Sequence, residues 1–148
     1  NKPGFSISIT PINPKSSGEI LIDEYDKVIN PKYLSSEKDV ELLKLALKYC
    51  LKLLRSKPIS NHILKIEDEL TIENDAEKYI LDNIFSGHHL IGGSHNAVNH
   101  NFEVHNTKGL FICDASIFSE YAASNIHSSV VLIADIFSKK FITNNFKS

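Results

Sequence analysis

The chain has no methionine, only two cysteines and six dispersed glycines. With Asn at position 1, the missing methionine leads to the expectation of a processed, truncated or fragmentary chain. Cys50 and Cys113 lie far apart in no motif, so the expectation is two unpaired structural thiols. The glycines stand at 4, 18, 87, 92, 93 and 109, and none forms GxGxxG after a strand; these residues carry no dinucleotide fingerprint. Apolar runs fall far short of a bilayer span, and no signal-peptide pattern opens the chain. Charge of one sign is also lacking. The formal net charge is -2 and no basic stripe appears, which gives no case for nucleic acid and none for long-range steering. None of these absences fixes a compartment.

What is present suits one compact globular unit: 148 residues, 42% of them hydrophobic and 23% charged, enough to bury one core. Phe5, Ile7 and Ile9 alternate with Ser6, Ser8 and Thr10, the period of a half-buried strand. Pro11, Pro14 and Ser16-Ser17-Gly18 break it, and Glu19-Ile20-Leu21-Ile22-Asp23 reads as a second strand, pairing antiparallel with the first. Ser36-Glu37-Lys38-Asp39 resembles a capping box. Val40, Leu43, Leu47, Cys50, Leu51 and Leu54 then mark one face of a helix over 39–56 that backs the sheet, with Lys44, Lys48 and Lys52 on its solvated side. Pro58 stops it. Asn74-Asp75-Ala76-Glu77 opens a shorter helix to about Ile84. Leu110-Phe111-Ile112-Cys113 is an unbroken apolar run, a strand covered on both faces. Ile126, Val130, Ile133, Ala134 and Phe137 outline a third helix over 125–141, and residues 143–148 read as a frayed end. The fold class is α+β: an antiparallel sheet backed by helices, then a strand–helix pair. The division falls into 1–86 and 87–148.

The chemistry-bearing residues concentrate in 87–135. Five of the seven histidines lie between His88 and His105, but they sit among Gly and Asn with few acidic neighbours and no paired cysteines, unlike a zinc site. A single positioned histidine is the better use, because neutral imidazole accepts a proton near neutral pH. His89 precedes Leu90-Ile91-Gly92-Gly93, apolar neighbours that restrict water and glycines that let backbone approach a flat ligand. Alone, a loop histidine reads as a solvated side chain. Asp114 follows the apolar strand, where a carboxylate either meets a ligand hydroxyl or satisfies the next turn. Ser124-Asn125 opens the last helix, whose N–H groups favour negative charge; simple N-capping is the alternative, and both can hold.

These residues, in this order, resemble the carboxyl-terminal part of the glucose-methanol-choline (GMC) oxidoreductases, flavin-dependent alcohol-oxidising enzymes. Ile12-Asn13-Pro14-Lys15-Ser16-Ser17-Gly18-Glu19-Ile20 is similar to the family's P-K-S-x-G-x-hydrophobic segment, and Pro31-Lys32-Tyr33-Leu34 with the helix after it to the next. His89-Leu90-Ile91-Gly92-Gly93-Ser94 resembles H-x-x-G-T, and Lys108 through Ser116 resembles the flavin-contacting g-L-r-V-v-D-A-S strand. Asn125 stands where the family carries its second active-site residue, His or Asn, and Ala134 and Asp135 match the following helix.

The resemblance implies an FAD enzyme oxidising the CH–OH group of an alcohol or sugar. It implies His89 as the proton acceptor, with hydride passing to flavin N5, and Asn125 as hydrogen-bond donor to the alcohol oxygen. Cofactor contacts would come from Asp114, Ala115, Asn125, Ile126 and His127. It implies further that residues 1–86 form the substrate side and 87–148 return to the flavin domain, whose amino-terminal half belongs to the same polypeptide. Two departures stand out. The family's Arg-Met-Gly is His95-Asn96-Ala97 here, in a shortened loop, and its N-P-N is Asn125-Ile126-His127, which makes His127 an alternative base. A non-catalytic interaction module that keeps the scaffold, and a histidine-cluster metal site, are the rival readings.

Overall fold

The structure is a computed structural model and describes residues 4–146. The chain separates into two compact units, Asn1–Phe85 and Ser86–Ser148. The class is α+β: a two-stranded antiparallel sheet and four α-helices.

In the first unit, β1 (Glu19–Ile22) pairs with β2 (Lys27–Asn30), Glu19 opposite Asn30 and Ile22 opposite Lys27. The partner of β1 is therefore the segment after it, while residues 5–10 form no regular element. A four-residue turn explains the choice, since a short loop closes at less entropic cost than the longer one needed to reach 5–10. Asp23 builds that turn. Its Oδ1 accepts from the N–H groups of Tyr25 and Asp26, both at 2.8 Å, and its own N–H donates to the Asp26 carbonyl at 3.0 Å. The alternation of Ile20, Ile22, Val28 and Ile29 buries nothing here: both strands are exposed throughout, Ile22 at 82%.

Helix α1 (Glu37–Leu54) packs on α2 (Glu69–Asn74) and α3 (Ala76–Asn83). Every residue of its expected apolar face is buried or half-buried, whereas Leu42, Leu45, Tyr49 and Leu53 are exposed. Leu51 and Ile80 are the buried apolar residues of this unit. Arg55 ties the end of α1 to α2 through Glu69 and Glu73. Asp75 caps α3 by accepting from the Lys78 N–H at 2.9 Å. Helix α2 carries too short a run, six residues, for periodicity to signal it.

The capping box at the start of α1 does not form, since Ser36 makes no side-chain cap bond. Asp39, 4% exposed, instead grips the loop before β1. Its carboxylate accepts from the Lys15 N–H (2.9 and 3.0 Å), the Ser16 N–H (2.7 Å) and the Ser16 hydroxyl (2.6 Å). The Ser16 oxygen in turn accepts from the Ser36 N–H at 3.1 Å, so the carboxylate satisfies the helix start through an intervening hydroxyl. Gly18 follows under the backbone of Asn30–Pro31, where a Cβ would lie 2.5 Å from the Asn30 oxygen. Only glycine fits that approach.

The second unit centres on α4 (His127–Phe146). Ile126, Val130, Ile133, Phe137 and Phe141 form its covered face, while Ala134 is exposed. Phe137 meets Phe102, Phe111 and Phe141 at ring-centroid distances of 5.5–5.6 Å, a favourable aromatic spacing. The segment 95–111 folds on itself through single bridges, Val98 with Val104 and Glu103 with Phe111. Residues 110–113 are thus an extended segment with one bridge rather than a strand in a ladder, Leu110 exposed and 111–113 half-covered. The Cys113 thiol donates to the Ile133 carbonyl at 3.6 Å, and both cysteines are free. Helix α4 continues to Phe146, past the expected fraying, and residues 147–148 lie outside those described. Among the described residues no helix is long and apolar enough to cross a membrane.

Candidate active site

The site lies within the second unit and is built from three segments. The first is the loop around His89. Gly92 takes φ +92°, a left-handed value that disfavours any side chain. The turn is closed by His95, whose Nδ1 donates to the Gly92 carbonyl at 2.7 Å; a carbonyl can only accept, so that nitrogen carries a proton. His95, noted in the sequence only as a departure from the family pattern, has its own signal: a donor placed three residues after a turn glycine. The Ala97 N–H then donates to the Ser94 carbonyl at 3.0 Å.

The second segment is the 3₁₀ turn Ala115–Ile117. Asp114 caps it, Oδ1 accepting from the Ser116 N–H at 2.8 Å. The Ser116 carbonyl accepts from the Ser94 N–H at 2.8 Å, which fastens the histidine loop to this turn. Of the two uses open to Asp114, the turn takes one oxygen and leaves the other able to accept.

The third is the start of α4. Asn125 Oδ1 accepts from the His127 N–H at 2.9 Å, and Asn125 Nδ2 stands 2.9 Å from His89 Nε2. Residues 36 positions apart are thereby in direct contact. Ile126, 8% exposed, anchors the helix start in the interior. His89, Asn125 and His127 are exposed. Burial pushes the Cys113 thiol up, with the adjacent Asp114 charge adding to it, so that cysteine is no thiolate nucleophile. Among the described residues no group of three or more His, Cys, Asp and Glu side chains is placed to hold a metal ion.

A contact between an imidazole nitrogen and a helix-capping amide, beside a glycine loop, is suited to handling a hydroxyl group. Comparison with known proteins identifies the family. The family model described as GMC oxidoreductase matches residues 14–134, and the chain belongs to that family, to its carboxyl-terminal region. It is 28% identical over 156 residues to glucose dehydrogenase [FAD, quinone] of Drosophila pseudoobscura pseudoobscura, covering 91% of this chain and 25% of that enzyme. The Drosophila melanogaster protein of the same name is 28% identical over 153 residues, covering 88% and 24%. The chain thus spans about a quarter of the length of these curated relatives. The fold is similar to that of pyridoxine 4-oxidase from Mesorbium loti, with TM-score 0.68 and 22% identity, covering 88% of this chain and 28% of that one.

Proposed function

We propose that this chain is the substrate-side and active-site portion of an FAD-dependent oxidoreductase acting on the CH–OH group of an alcohol or sugar. The observation that carries the reading is the 2.9 Å contact between His89 and Asn125. A hydroxyl is the group best able to replace that contact, because it donates and accepts at one atom. Its proton would go to His89 Nε2, and its oxygen would accept from Asn125 Nδ2. As the C–H bond breaks, the oxygen gains double-bond character to carbon, and the Asn125 amide holds it in place. The opening turn of α4 adds a fixed positive potential where negative charge accumulates.

The residues fit part of an FAD site. Asn125, Ile126 and His127, at the start of α4, would hold the ring end of the group, where the helix dipole favours negative charge. Asp114 and Ala115 stand at a turn whose carboxylate has one oxygen uncommitted to Ser116, suited to a ribityl hydroxyl. Bound FAD would supply the hydride acceptor at N5. The dinucleotide fingerprint would come from an amino-terminal flavin domain of the same polypeptide. The exposed apolar residues of β1 and β2 support a further covering partner of that kind. On this reading residues 1–86 contribute the substrate side, and these 148 residues alone retain no FAD.

The test is anaerobic addition of alcohols and sugars to the flavin-loaded full-length polypeptide, reading flavin absorbance. Bleaching by a CH–OH compound is expected. A flavoprotein that no alcohol or sugar reduces would end the proposal, as would stoichiometric flavin on the isolated 148 residues for the division of labour.

A further inference from the structure

Helix α1 has a third face, between its covered side and its exposed leucines. Lys44, Lys48, Lys52 and Arg55 recur at intervals of four and three, so they form one row along the helix. The sequence places the lysines on a solvated side. The structure makes the row one wall of a cleft of about 750 Å³, with residues of α2 and α3 forming the other. That volume is within the roughly 300–1,000 Å³ of small-molecule sites. Leu47, Leu51, Ile72 and Ala76 supply its apolar lining, Leu51 buried and the other three half-buried. Every lining residue belongs to the first unit.

The charges along the cleft are not evenly spent. At one end Lys44 meets Glu41 at 2.8 Å and Glu77 at 3.6 Å. At the other, Arg55 meets Glu69 at 2.7 Å and Glu73 at 2.6 Å, and Glu73 is the carboxylate of the lining. Between these ends Lys48 and Lys52 are exposed and have no carboxylate partner among the described residues. One helical turn apart, their Cβ atoms are separated by roughly 6 Å, close enough for one anionic head group to meet both ammonium groups. Two uncompensated cations beside an apolar lining, bridged by ion pairs at either end, select a ligand with one negative head and one apolar tail.

We propose that this cleft binds a single-chain amphipathic carboxylate of the fatty-acid class, its head group on Lys48 and Lys52 and its chain along Leu47, Leu51, Ile72 and Ala76. Covering the apolar lining removes it from water. The pairing of Glu73 and Glu77 with Arg55 and Lys44 holds those carboxylates away from the head group. A concave site bridged at both ends fits one monomer, not a bilayer surface. The proposal is independent of the alcohol-oxidising reading, because the cleft shares no residue with that site.

The test uses the full-length polypeptide and dodecanoate below its micelle concentration, read by isothermal titration. One dodecanoate per chain is expected. Each CH₂ added between octanoate and dodecanoate should tighten binding about two- to fourfold, the upper figure corresponding to full burial of a methylene. Dodecyltrimethylammonium, repelled by the two lysines, should bind at least about tenfold more weakly. Lys48→Gln combined with Lys52→Gln, both at exposed positions, should weaken dodecanoate about tenfold through the loss of two exposed ion pairs. A dodecanoate carrying a diazirine in its chain, photolysed on the wild type, should label residues 44–56 and 72–76. No saturable binding, equal affinity for the two head groups, or undiminished binding in the folded double variant overturns the proposal. Photolabel confined to other segments overturns it too, whether or not the variant folds. Sedimentation with anionic phospholipid vesicles without uptake of the monomer would make the lysine row a membrane contact, and likewise overturns it.

Discussion

Replacing Asp39 by Ala removes the carboxylate that three donors share: the Lys15 N–H, the Ser16 N–H and the Ser16 hydroxyl, at 2.6–3.0 Å. Hydrogen bonds to a charged acceptor contribute roughly 1.5–3 kcal/mol each, and less when they share one acceptor. Lys15 is exposed and its N–H recovers water, so the expected loss is about 3–4 kcal/mol. At about 1.4 kcal/mol per decade, the local opening equilibrium shifts by roughly two to three orders of magnitude. Amide hydrogen exchange reads this directly at Ser16 and Ser36, whose protection should fall together because the Ser16 hydroxyl links them. Asn at 39 keeps one acceptor oxygen and should lose about half as much.

The pH dependence of this clamp has a definite sign. Burial pushes the Asp39 carboxyl up, but the Ser16 hydroxyl, the Lys15 and Ser16 N–H groups and the Lys15 charge outweigh it and hold the group below its ordinary value. The clamp's contribution is therefore fully present above the unfolded carboxyl pKa of about 3.9 and fades as pH falls through the lower folded value. Exchange protection at Ser16 should be flat from neutral pH to about 5 once the intrinsic rate is removed, then decline in acid. A change below about fivefold in Asp39→Ala, near 1 kcal/mol by the same conversion, would refute the reasoning, as would an acid decline that survives in Asp39→Asn.

Two other perturbations follow from packing. Gly18→Ala places a methyl 2.5 Å from the Asn30 oxygen, so the backbone must shift. A loss of about 1–3 kcal/mol is expected, seen as faster amide exchange along β1 and β2; unchanged exchange there contradicts the close approach. Phe137→Ala removes the ring common to three aromatic contacts. Since Phe137 is half-buried rather than enclosed, about 2–4 kcal/mol is expected, measured as lost protection in α4, and a loss under about 1 kcal/mol would mean that α4 is held elsewhere.

The sequence carried the long helix α1 well because it has a periodic face and a stop signal. Val40, Leu43, Leu47, Cys50, Leu51 and Leu54 share the covered side of α1, and Asp75 caps α3. It misled where one residue had two possible partners. Ser36 and Asp39 have capping-box spacing, yet the carboxylate turns to Lys15 and Ser16, a choice made by a loop more than twenty residues away. The alternation in 5–10 resembles a strand, but β1 closes first on β2 through the Asp23 turn, whose Asx chemistry was legible and outranked by the hydrophobic pattern. The apolar run 110–113 reads as a central strand because its composition suits burial on both faces, while its pairing here is one bridge. In the site, motif order singled out both His89 and Asn125, which the structure brings into contact. Their contact at 2.9 Å, and the role of the His127 N–H in aiming the amide, depend on where α4 begins, which a periodic pattern fixes only to within a residue or two.

The central claim is that His89 receives the hydroxyl proton during alcohol oxidation, and the rate of flavin reduction tests it most directly. Stopped-flow mixing of the flavin-loaded full-length polypeptide with a substrate alcohol, wild type against His89→Ala, isolates the step from later electron transfer. A fall of roughly 10²–10⁴-fold at saturating alcohol is expected for the loss of a general base, with flavin content unchanged. Flavin reduction at the wild-type rate in His89→Ala would contradict the account and turn attention to His127, the other imidazole at the start of α4.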